Sequence, residues 1–199
     1  MKNLLRLAAA AALLLTSGPA LAQSRAATRS GLTSAGVLLG FEDFGGDTGL
    51  ALRGDVLLLP TRLAPKASVG LVLSLGYSRF SESAYHSWDG TDWDWTTNIL
   101  KFTPAARFAF DVAPRFGLYA DAGLGLHYAS MSWEWHDRFG PLSADDSVSD
   151  VGLHMRFAGG AQFQISPGFD LGAEIGLNPY FGDFEDNSLT VMMSAMFRM

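Results

Sequence analysis

The chain has 199 residues, no cysteine, a formal net charge of −6 and only 17% charged residues. The missing cysteines exclude a disulfide framework and thiolate metal sites, and the negative charge excludes nucleic-acid binding by bulk electrostatics. A charged fraction below the roughly 25% of ordinary globular domains is small for a protein that hydrates its whole outer face.

The N-terminus reads as a secretory signal. "MKNLLRLAAAAALLLTSGPALAQ" has a basic start at Lys2 and Arg6, an apolar run from Leu7 to Leu15, and a small-x-small end at Ala20-Leu21-Ala22. The run is too short to span a bilayer, which takes about 20 apolar residues, and no later stretch approaches that length. Cleavage after Ala22 leaves a short polar periplasmic segment over 23–32 and one domain over 33–199.

Eight alternating runs fill that domain, at 33–42, 49–59, 68–80, 97–111, 116–130, 150–165, 169–180 and 188–199. Their connections alternate in kind. "PTRLAPKA", "VAPR" and "SPG" are short and carry proline. "DFGGDTG", "SESAYHSWDGTDWDWT", "MSWEWHDRFGPLSADDSVS" and "FGDFEDN" are longer and acidic. Strands of about 9–11 residues, with short turns at one end and long loops at the other, are the pattern of an outer-membrane barrel. The runs are not repeats of one another, so no solenoid or propeller is implied.

The stretch "GLYADAGLGLHYA" decides which face looks inward. One phase is Leu118, Ala120, Ala122, Leu124, Leu126 and Tyr128; the other contains Asp121, His127 and several glycines. Most of the 20 acidic residues lie in the long connections. The strand acids Glu42, Asp55, Asp111, Asp121, Asp170 and Glu174 all avoid the Leu/Phe phase, and Arg53, Lys101, Arg107, Arg156 and Arg198 share their side. A water-facing surface would not be so rich in glycine and so poor in charge, whereas a narrow lumen would. The prediction is an all-β, eight-stranded antiparallel up-and-down transmembrane β-barrel with ions inside and Leu/Phe facing lipid. A soluble periplasmic barrel is the weaker alternative.

Eight strands enclose a space that side chains can fill. The predicted lumen network is Arg107, Asp121, His127, His154, Arg156 and Glu174. A symmetric turn after Asp111 sets Arg107 opposite Asp121, and folding back of 131–149 sets His127 opposite His154. Two imidazoles fall short of the three or four ligands of a metal site. They read instead as neutral, hydrogen-bonded members of the Arg107–Asp121–Arg156 cluster. Neither metal nor cofactor is expected.

All five tryptophans lie in two loops. "DWDW" and "WEWH" keep period two, so the strands are expected to continue beyond the membrane. That continuation aims Trp93, Trp95, Trp133 and Trp135 over the barrel mouth, with Asp92, Asp94, Glu134 and His136 outward. The simpler reading is an interfacial aromatic belt; the functional one is a platform for an extracellular ligand. Acidic loops could also hold divalent cations against phosphorylated lipid, but no loop carries the spaced ligands of a dedicated Ca²⁺ site.

These residues resemble the eight-stranded outer-membrane β-barrel family, the OmpA transmembrane domain and OmpX-like small porin-family surface proteins of Gram-negative bacteria. The resemblance covers about 33–199. It implies an outer-membrane location, lipid or lipopolysaccharide as surroundings, and a monomer. "LTVMMSAMFRM" is similar to the C-terminal signal read by the barrel-assembly machinery, with Phe197 at its aromatic position, Met199 for the customary Phe, and Ser194 where glycine is common. The peptidoglycan-binding domain of full-length OmpA proteins is expected to be missing. Lipid A deacylases of this size place a His and a Ser on one strand face, whereas His127 and Ser130 fall on opposite faces. Omptin-type proteases are only faintly matched by Asp92/Asp94 with Glu134/His136. The reading is therefore a non-enzyme with a filled lumen and a surface-interaction role, with a narrow channel and a surface hydrolase as alternatives.

Overall fold

The computed structural model describes residues 32–86, 91–136, 145–182 and 185–199. The expected signal over 1–22 and most of the expected segment over 23–32 lie outside the described residues. Eight strands form a closed antiparallel barrel in chain order: β1 (Leu32–Phe44), β2 (Asp47–Ala64), β3 (Ala67–His86), β4 (Thr91–Ala113), β5 (Phe116–His136), β6 (Asp145–Ser166), β7 (Phe169–Phe181) and β8 (Asn187–Arg198). Closure runs through β1 and β8, from Ser34↔Arg198 to Phe44↔Ser188. No edge remains where the barrel meets lipid, as a bilayer demands.

Two connections differ from the sequence reading. "DFGGDTG" is not a long loop: β1 and β2 meet at Gly45–Gly46, whose φ values of 63° and 93° are those of a tight hairpin turn. "PTRLAPKA" is not all turn either, because β2 continues to Ala64. Pairing jumps from Leu58↔Leu71 to Thr61↔Val69, so one extra residue is absorbed at Leu59–Pro60. Leu59 takes a left-handed φ of 48° there, beside a proline with no N–H for the ladder.

The inside–outside assignment follows the predicted phase. Leu124 is 53% exposed and Asp121 is 4% exposed. An apolar belt covers the outside, running on β4 from Val112 to Leu100 and on β5 from Phe116 to Tyr128. At about 3.4 Å per residue and a tilt of about 40°, the belt is roughly 30 Å tall, the thickness of a hydrocarbon core. Its upper edge is polar: the Tyr77 hydroxyl donates to Asn98 Oδ1 at 2.7 Å.

The inside is not wholly polar. Leu38, Ala51 and Met192 pack together in the lumen, and Phe80, Ile99, Ala129 and Tyr180 form a second cluster against Phe44.

The extracellular rim is uneven. The β2–β3 ladder tops out at Leu50↔Arg79 and the β6–β7 ladder at Leu153↔Phe181, while β3–β4 pairing continues to His86↔Thr91 and β5–β6 pairing to Glu134↔Asp145. From Asn98 to Thr91, β4 climbs roughly 20 Å above the belt. Strands β3 to β6 thus form a wall standing above the shorter β7, β8, β1 and β2.

Candidate functional site

The middle of the lumen is closed by three guanidiniums and three carboxylates. Arg107 donates from Nε and Nη2 to both oxygens of Asp121, each at 2.8 Å, from the directly opposed strand position. Arg53 bridges Asp55 at 2.8 Å and donates to both oxygens of Glu174 at 2.8 Å. Arg156 ties the halves together through Asp121 at 2.8 Å, Glu174 at 3.0 Å and the Ser74 hydroxyl at 2.8 Å. The Tyr119 hydroxyl donates to Glu174 at 2.9 Å, and the Arg107 guanidinium lies 4.0 Å from the Tyr119 ring centroid. Charges neutralise within the cluster, and each ion has several partners. That is the condition under which buried ions are tolerated.

Above it lies a second layer. Glu42, fully buried, accepts from Lys101, Ser78, Tyr180 (2.7 Å) and Ser188 (2.5 Å). A space of about 20 Å³ lies between the two layers, bounded by residues including Arg53, Lys101, Thr103 and His154. It has room for one water. At the periplasmic mouth Arg198 pairs with Asp170 at 2.7 Å, while Asp111 is exposed rather than part of the interior.

The histidines depart from expectation in two ways. His127 pairs with Gly152 and His154 with Gly125, so the two are offset by two residues rather than opposed. They also lie outside the arginine cluster, packed on Tyr180 with ring centroids at 5.0 and 5.6 Å. Each ring lies across the glycine opposite it: a Cβ at Gly125 would stand 2.7 Å from His154 Cε1, and one at Gly152 would stand 2.5 Å from His127 Cε1. His154 Nε2 shares a hydrogen bond of 2.7 Å with the Thr103 hydroxyl, and the His127 nitrogens have no hydrogen-bond partner among the described residues. No group of three metal-ligating side chains occurs among the described residues.

The six predicted lumen residues are all buried. Arg53, Asp55, Glu42 and Lys101 belong with them and carried the same signal, an ion in the inward phase. Tyr119 and Tyr180 were missed; their signal was an aromatic in that same phase.

Above the membrane, the β4–β5 ladder continues. Pairing between β4 and β5 keeps one offset from Asp111↔Gly117 to Asp92↔His136, with no bulge between. The inward phase therefore carries through to Trp95↔Trp133 and Trp93↔Trp135. Trp95 and Trp133 are half-buried, and Asp94, in the opposite phase, is exposed. Asp92↔His136 and Asp94↔Glu134 are paired positions in that opposite phase. The side chains of Asp92, Trp93, Glu134, Trp135 and His136 lie outside the described residues. At the rim, a hydrogen bond to Asp47 holds the Glu82 carboxyl above its ordinary range.

A closed eight-stranded barrel with a lipid-facing belt and an ionic interior is what the outer membrane selects, and the description "outer membrane protein beta-barrel domain" matches residues 8–197. The chain belongs to this family. Members lie in the outer membrane, which accounts for the belt. No curated protein matches the sequence. Similar solved structures include a major outer membrane protein from Thermus thermophilus, at 15% identity and TM-score 0.53, covering 84% of this chain and 99% of that one. The outer membrane enzyme PagL aligns at 14% identity and TM-score 0.50, covering 83% and 99%. The outer membrane protease OmpT of Escherichia coli aligns at 9% identity and TM-score 0.53, covering 84% and 93%. At such identities the likeness shows the fold of the family alone.

Proposed function

We propose that this barrel is a sealed, non-catalytic, monomeric outer-membrane protein whose task is to hold the β3–β6 wall toward the outside as an interaction surface. The observation that carries the reading is the interlocked Arg53–Asp55–Arg107–Asp121–Arg156–Glu174 network, with a water-sized space of about 20 Å³ above it. A conduit would leave those ions solvated, and here they spend their hydrogen bonds on each other. Lipopolysaccharide and phospholipid surround the belt. The β8 strand, with lipid-facing Phe197, offers the barrel-assembly machinery its recognition segment.

Catalysis finds little support. His127 points into the lumen and Ser130 lies in the opposite phase, so the two cannot share a proton. The test has two arms. In planar bilayers the purified protein gives no steady conductance; a steady open channel would establish the narrow-porin reading instead. Incubation with lipid A and with basic peptides gives no turnover, and turnover abolished by His136→Ala would make it a surface hydrolase.

A further inference from the structure

The wall has a face whose composition is specific. Reading across β3, β4, β5 and β6, the cross-strand partners in one row are Glu82, Trp95, Trp133 and Asp146. The next row outward places Ala84, Trp93 and Trp135 in register. The row below is Phe80, Thr97, Met131 and Val148, and beneath it lies the apolar floor of Ile99 and Ala129. All these positions share the inward phase, and among the described residues the β2–β3 and β6–β7 ladders have ended below the Trp95↔Trp133 row.

The ladder also tells how closely the tryptophan positions approach. Proline has no N–H, and between Asp92 and Asp111 the β4–β5 pairing is interrupted at Thr103 and Pro104 alone. Loss of those two positions together means that the nitrogen of Pro104 points at β5. Even-numbered residues of β4 therefore occupy the hydrogen-bonded sites toward β5, and odd-numbered residues the non-hydrogen-bonded ones. Trp95↔Trp133 and Trp93↔Trp135 fall on the non-hydrogen-bonded sites, where Cα atoms are about 4.5 Å apart rather than about 5.5 Å. The two pairs of positions follow one another along the same phase of the sheet, and the half-buried Trp95 and Trp133 are directly opposed cross-strand neighbours.

We propose that this face binds a Lys/Arg-rich peptide segment, its ammonium or guanidinium groups lying over the Trp95 and Trp133 indoles beside the Glu82 carboxylate. The inference rests on the surface-interaction reading above and names its partner. Cations bind tryptophan faces through the ring quadrupole, and Trp95 and Trp133 with Glu82 beside them supply both the π-surface and the countercharge. Charge complementarity favours a cationic occupant over a neutral sugar: Glu82 borders the pair, Asp47 is hydrogen-bonded to Glu82, and Asp150 follows on β6. Several rows of extended sheet favour a peptide over a single small ammonium ion. Acidic connections around the rim would draw such a segment in.

The test uses the full barrel in detergent micelles at about 150 mM salt, where attraction between charges more than about 8 Å apart is screened. A fluorescein-labelled ten-residue Lys/Arg peptide is titrated by anisotropy, with its glutamate-substituted analogue, choline and a neutral trisaccharide as competitors. The expected result is saturable binding of the basic peptide only. Trp95→Ala with Trp133→Ala weakens it at least tenfold, Glu82→Gln weakens it several-fold, and Trp95→Phe with Trp133→Phe retains most of it. Heat-modifiable migration on a gel verifies that each variant is folded. Unchanged affinity in the double alanine variant would reduce the effect to bulk charge and overturn the proposal. So would choline competing as well as the peptide, or the trisaccharide binding in its place. A conducting barrel that still bound the peptide through these residues would sink the sealed-lumen reading and leave this one standing.

Discussion

The arginine cluster and the tryptophan wall are built on the same strands, in the same phase, with one uninterrupted β4–β5 offset joining Arg107↔Asp121 to Trp93↔Trp135. They differ in what stands opposite. At the level of Asp121 the inward phase faces seven other strands, and every ion finds a partner across the lumen. Above Leu50↔Arg79 and Leu153↔Phe181 the ladders to β2 and β7 have ended: Phe80 and Thr97 are still buried, whereas Trp95 and Trp133 in the next row are only half-buried. Closure makes an inward residue structural, and loss of closure makes it available to a partner.

The comparison can be broken most forcefully at Asp121. Asp121→Ala removes the partner of both Arg107 and Arg156 and leaves buried positive charge behind. The expected cost is about 3–5 kcal/mol, read as a lower urea midpoint for unfolding from lipid vesicles; an unchanged midpoint would show that the cluster is solvated. Next in size is Gly152→Ala. The new methyl would meet the Phe181 carbonyl oxygen at 2.3 Å and the His127 ring at 2.5 Å, for a loss of roughly 1–3 kcal/mol. His127→Phe has the opposite sign. Removing ring nitrogens without partners should be neutral or stabilise by up to about 1 kcal/mol, and a marked loss would reveal a partner for them. On the outer face of the wall, Asp94→Asn should move stability by less than about 0.5 kcal/mol, because that position is exposed.

Most of the architecture was legible because lipid imposes a simple rule: apolar out, ion or glycine in, every second residue. Arg107 stands opposite Asp121 through more than the two-residue turn at Pro114–Arg115: Ala113↔Phe116 alone would set it opposite Ala122, and the register shift between Asp111 and Ala113 moves it to Asp121. His127 and His154 were misplaced by two positions because their register depends on a long connection, and its symmetry cannot be read from composition. The early end assigned to β2 has a local cause. Pro60 suggested a turn, whereas a bulge with Leu59 in a left-handed conformation lets the strand pass through. The two inward apolar clusters, one around Leu38 and one around Phe80 and Ile99, were hidden for another reason. Alternation marks an inward ion clearly, but an inward leucine looks like noise until its neighbours across the barrel are known.

The most direct measurement exploits the absence of native cysteine. Single cysteines at Leu71, Ser74, Leu75 and Ser78 would carry spin labels in the refolded protein in lipid vesicles, with accessibility to oxygen and to a water-soluble nickel complex recorded at each. The account predicts high oxygen accessibility at 71 and 75 and protection from both reagents at 74 and 78. High nickel accessibility at 74 and 78, or oxygen accessibility without period two, would contradict a greasy coat around a sealed ionic axis.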